Sequence, residues 1–64
     1  MTADYNIKLQ DNAGRTAELF ITGACIDELI ASGASESEAR ESVESNAFWN
    51  AIDAGEIGED AWIV

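Results

Sequence analysis

Glu36, Glu38, Glu41 and Glu44 set four carboxylates within nine residues, with Arg40 as the only base among them. Glu56, Glu59 and Asp60 form a second acidic group, and Asp27 and Glu28 a third. Carboxylates at such spacing can bind cations, relay protons, or stand where another molecule has phosphates. Calcium binding is tested best on Asp53-Ala54-Gly55-Glu56-Ile57-Gly58-Glu59-Asp60. With Asp53 as first ligand, Gly58 falls at the sixth loop position, where a helix–loop–helix calcium site needs glycine. However, Gly55 and Ile57 then occupy ligand positions, and Val64 replaces the bidentate glutamate, so the match fails. Proton relay at neutral pH needs histidine or a carboxyl raised in an apolar pocket. The chain has no histidine and 64 residues, too few to line such a pocket beside a core. Nucleophilic serine or cysteine lacks a base partner, and no phosphate-cradling glycine loop is present. The expectation is a protein that is not an enzyme and needs no cofactor or metal.

What remains is the charge itself. Thirteen acidic residues face three basic ones, Lys8, Arg15 and Arg40, for a net charge of −10. A compact body with that balance carries a negative potential over most of its surface. Such a field draws basic partners in and repels nucleic acid and anionic membranes. Glu38, Glu41 and Glu44 recur every third residue, and like charges so placed each weaken a helix by a few tenths of a kcal/mol. Three clusters with almost no lysine mean that this repulsion is accepted repeatedly. One reading is a solvated surface, including that of a protein adapted to high salt. The other is that the carboxylates imitate phosphates for a basic nucleic-acid-binding protein, because duplex DNA is bound through Lys and Arg grooves.

The elements that must carry these groups follow from periodicity. Tyr5, Ile7 and Leu9 alternate with polar residues, the pattern of a strand with one buried face. Asp11-Asn12-Ala13-Gly14 is a turn. Arg15 to Thr22 is a second strand, with Ala17, Leu19 and Ile21 inward, and a β-hairpin results. Phe20 falls on the outer face, to be covered by a neighbour such as Trp62 or a helix, or to meet a partner. Gly23 closes the hairpin. Ala24 to Ser32 is a short helix with Ile26, Leu29 and Ile30 on one stripe, Asp27 and Glu28 in its first turns, and Gly33 at its end. Ser35 and Glu38 form a capping box that opens the next helix. Phe48 and Ile52 lie more than about 90° from the Ala39–Val43 stripe. This predicts a break near Ser45-Asn46 and a third helix from Ala47 to Ala54, with one continuous helix as the alternative. Glu56 to Asp60 is a loop, and Ala61 to Val64 a short strand able to pair beside the hairpin.

The expected fold is therefore a single α+β domain over residues 1–64. A small antiparallel sheet, hairpin plus C-terminal strand, packs on two or three short helices. A chain this small buries only about 60% of its unfolded surface, so stability is thin. Cys25 stands alone, which excludes an internal disulfide and predicts a small apolar core residue. No run is long enough to span a membrane and the first residues do not read as a signal peptide, so the expected location is the cytoplasm.

The hairpin segment Tyr5 to Thr22, then Asp27-Glu28-Leu29-Ile30 and the acidic stretch Ser35-Glu36-Ser37-Glu38-Ala39-Arg40-Glu41, resemble the small acidic anti-CRISPR proteins of phages and mobile elements. The likeness is to inhibitors of type I CRISPR complexes, with I-C as the expected subtype. It implies a DNA mimic, acting as a monomer, that blocks the DNA- or PAM-binding surface of a Cas surveillance complex without touching nucleic acid. The expected contacts are Glu36, Glu38, Glu41 and Glu44, then Glu56, Glu59 and Asp60, then Asp27 and Glu28. The rival is an adaptor that binds through exposed aromatics, with Phe20, Trp49 and Trp62 as anchors.

Overall fold

Alternation builds the sheet as expected. In the computed structural model, which describes all 64 residues, β1 (Tyr5–Gln10) and β2 (Thr16–Ile21) pair antiparallel, with Ile7 opposite Leu19 and Leu9 opposite Ala17. The C-terminal β3 (Trp62–Ile63) pairs antiparallel on the other side of β1, Leu9 opposite Ile63, giving the order β2-β1-β3. Two helices, α1 (Gly23–Ala31) and α2 (Glu36–Asp53), complete an α+β domain.

Each helix ends in the same way. Gly33, with φ +113°, and Gly55, with φ +77°, adopt the left-handed conformation that lets the chain turn back on the last carbonyls. The Gly33 and Ala34 N–H groups donate to Ile30 and Leu29, and those of Gly55 and Glu56 to Ile52 and Ala51. At the start of α2 the capping box forms as read: Ser35 accepts from the Glu38 N–H and the Glu38 carboxylate accepts from the Ser35 N–H.

The break near Asn46 does not occur; α2 is one helix of 18 residues. The expectation followed Phe48 and Ile52 as the buried row. The row that carries the helix is Ala39, Val43, Ala47 and Ala51, which turns by only about 40° at each four-residue step. Ala39 and Ala51 are buried, Val43 and Ala47 half-buried, and Phe48 and Ile52 flank the row. One capping box and one glycine stop bound the whole segment, with no glycine or proline between them.

Leu9, Leu19, Ile21, Ile26, Ala39, Ala51 and Ile57 form the core. Ile57 is 2% exposed although its loop reads as solvated and acidic. Phe20 is not covered: it stands 65% exposed on the outer face of the sheet. Cys25 is exposed rather than buried. Because α1 starts at Gly23, the buried positions are Gly23 and Ile26, and Cys25 is about 100° away from Ile26. The same start moves Asp27 and Glu28 out of the first turn, which holds no acid. In their place the Asp4 carboxylate, from the segment before β1, accepts the Gly23 N–H at 2.7 Å, where the helix dipole favours a negative charge. No helix is long and apolar enough to cross a membrane.

Candidate partner-binding surface

The folding of α2 distributes its acids instead of aligning them. Each three-residue step turns about 60° backwards around the axis, carrying Glu38, Glu41 and Glu44 from the outer face toward the sheet. Glu38 is spent on the cap. Glu36 accepts from Arg40 Nη2 at 3.0 Å. Glu44 is half-buried and accepts the Tyr5 hydroxyl from β1. The Arg40 guanidinium lies 5.2 Å from the Tyr5 ring centroid, within cation–π range. Arg40, held by Glu36, and Glu44, one turn further along α2, therefore clasp Tyr5 and tie the first residue of β1 to the middle of α2. Burial and the bond to Glu44 both push the Tyr5 phenol up, with Arg40 opposing. Bonds to Glu36 and Tyr5 raise Arg40 further.

Asp27, of the third acidic group, also has internal work. Its carboxylate accepts the Thr2 hydroxyl at 2.7 Å and the Thr2 N–H at 3.1 Å, and these bonds hold its pKa below the usual range. Asp60 accepts the Asn12 N–H at 3.3 Å. Glu28, Glu41, Glu56 and Glu59 are exposed and engage no other side chain. Among the nine carboxylates read as partner contacts, these four are unencumbered, and they lie on three different elements: α1, α2 and the loop before β3. Glu36, Glu38 and Asp60 remain exposed as well and keep their charge in the surface field.

The acid whose place the sequence does not disclose is Asp11, which reads as a turn residue. It is 1% exposed. Its carboxylate accepts the Arg15 N–H and Nε, both at 2.9 Å, and the Gly58 N–H at 2.9 Å. Burial raises its pKa, but these donors outweigh burial and hold it below the ordinary carboxylate value. An aspartate followed four residues later by arginine across a turn was the signal available.

Sequence reasoning also missed a groove of about 510 Å³ between the sheet and α2. Ile7, Leu9 and Ile63 line its sheet side, and Arg40, Glu41 and Phe48 its helix side. Its floor is apolar and its helix rim is charged. Trp62, 46% exposed, borders it, while Trp49 and Phe20 stand 54% and 65% exposed elsewhere.

No protein-family model matches this chain, and no curated protein or solved structure shows a significant similarity to it.

Proposed function

We propose that this protein is a DNA mimic that occupies the nucleic-acid-binding surface of a basic protein, with a type I CRISPR surveillance complex, subtype I-C, as the target its resemblance implies. The observation that carries the reading is the union of shape and charge. The body measures 38 × 17 × 17 Å, and its radius of gyration of 12.4 Å exceeds the about 11 Å of a compact chain of this length. A duplex 38 Å long carries about 22 phosphates, one per about 1.7 Å of axis, so the net charge of −10 answers to about one of its two strands. Glu28, Glu41, Glu56 and Glu59 would face the partner's cations with no internal bond to give up.

Binding of this kind releases counterions and weakens steeply with salt. The test is competition: the protein should displace duplex DNA from an isolated type I complex. Lysine at Glu28, Glu41, Glu56 and Glu59 together should abolish displacement while the circular dichroism spectrum is retained. Displacement that survives this reversal defeats the mimic.

The exposure of Phe20, Trp49 and Trp62 favours a second reading, an adaptor anchored by aromatics. Such a partner stays bound at about 0.5 M salt, where the Debye length is about 4 Å and exposed charges are screened. A mimic is released there.

A further inference from the structure

β3 covers only part of its neighbour. Its register on β1 spans Leu9 and Gln10, and beyond it the Val64 N–H donates to the Lys8 carbonyl at 2.8 Å. In an antiparallel strand, alternate residues aim their backbone groups at the same edge. Asn6 therefore presents its N–H and C=O in the same direction as Lys8, and no strand lies beside it. That open stretch borders the groove lined by Ile7, Phe48 and Glu41.

We propose that this groove takes an extended segment of a basic protein, added to β1 as a strand continuing the line of β3. The backbone of the segment pairs with Asn6, because Val64 already occupies the place opposite Lys8. Opposite residues of paired strands share a face, so the side chain facing Ile7 enters the groove against Phe48 and is aliphatic. The place opposite Leu9 is held by Ile63, so the next residue on this face is the one two positions further along the segment, opposite Tyr5. There Lys or Arg lays its apolar stem along the floor and brings its charge to Glu41 and Glu44. Charge complementarity selects this occupant over a second copy, because two bodies each carrying −10 repel. The proposal rests on the reading above that the partner is basic, and it names the part of that partner which is gripped.

The probe is the acetylated, amidated peptide Val-Thr-Lys, whose residues in turn face Ile7, Asn6 and Tyr5, titrated into the isotopically labelled full chain at low salt. The expected result is saturable shifts of the Asn6, Ile7 and Lys8 amides and slower hydrogen exchange at Asn6. Methylating the threonine amide, replacing the lysine by glutamate, or filling the groove from its exposed rim with Ser45→Trp should each weaken binding at least about tenfold. Shifts scattered over the acidic surface and indifferent to N-methylation overturn the proposal, because net charge alone then explains them. An Asn6 amide already protected in a sedimenting dimer overturns it in favour of a second copy. Ser45→Trp keeps every carboxylate, so the two readings fail separately. If that variant still displaces DNA from the complex and binds the peptide unchanged, the groove is wrong and the mimic stands. If the peptide docks as described but no DNA is displaced, the groove stands and the mimic is wrong.

Discussion

The Asp11 carboxylate accepts the Gly58 backbone N–H at 2.9 Å across 47 positions of sequence, joining the hairpin turn to the loop that follows α2. That loop delivers Ile57 to the core and leads directly into β3. Only nine of the 64 residues are buried, so a tie that seats two chain segments at once weighs heavily in a domain with thin stability. Asn in place of Asp11 offers one acceptor oxygen where donors approach both carboxylate oxygens. Asp11→Asn should lower the melting temperature on the order of 10 °C. Arg15→Ala should cost less, because the Arg15 side chain is 53% exposed and both backbone donors to Asp11 survive its loss. Thermal melts that reverse this order would show that the tie works through Arg15.

The continuity of α2 can be tested where a break was expected. If Asn46 capped a separate helix, Ala47 would be its first residue, a position that welcomes proline. Inside a continuous helix proline removes a backbone bond and clashes with the preceding turn, at about 3 kcal/mol or more. Ala47→Pro should therefore unfold the domain or lower its denaturant midpoint drastically. A variant as stable as the parent would mean that two helices meet at Asn46.

The difference between what the chain disclosed and what it hid lies in the reach of each signal. The hairpin, the Ser35–Glu38 box and the two glycine stops depend on neighbours within four residues, and the sequence states them. The course of α2 beyond Glu44 depends on what the helix lies against. Ala47 and Ala51 carry no conspicuous hydrophobic signal, and the bulkier Phe48 and Ile52 dominate the pattern. Ile57 and Asp11 were concealed for the same reason: each sits among turn-forming or acidic residues and is buried by a segment distant in sequence. The acidic clusters were legible as composition. Which members are free was not, because the bonds of Asp27 to Thr2 and of Glu44 to Tyr5 span 25 and 39 residues.

Gly23 lies where the segment before β1 crosses α1. A β-carbon there would stand 1.8 Å from the Thr2 carbonyl oxygen, a distance no rotamer relieves, since the neighbour is backbone. Gly23→Ala should displace Thr2 and break its bonds to Asp27. The melting temperature should fall, and Asp27→Asn added to Gly23→Ala should cost almost nothing more. Additive losses from the two changes would place the Asp27 contribution elsewhere. The Asp27 bonds also set an acid limit. Its folded pKa is lowered, so their stabilisation is complete above the unfolded value of 3.8 and is lost as pH falls through the lower folded value. The gap in melting temperature between parent and Asp27→Asn should close at acid pH.

Tyr5 imposes the opposite limit. Its phenol is pushed above 10.0 by burial and by the Glu44 carboxylate that accepts its proton. A raised folded value contributes stability that is whole below the unfolded pKa and lost as pH rises through the folded one. Tyr5→Phe keeps the ring under Arg40 but gives Glu44 no donor. At neutral pH it should cost about 1 kcal/mol, read as a melting temperature lower by about 4–8 °C. Above pH 10, where the parent's own phenolate would face Glu44, the difference should shrink and then reverse. Ultraviolet titration of the tyrosine in the folded parent should give a midpoint above 10, returning toward 10 in Glu44→Gln. A parent midpoint at the ordinary value would mean that the Tyr5–Glu44 bond does not persist in solution, and the clasp between β1 and α2 would then rest on Arg40 and the ring alone.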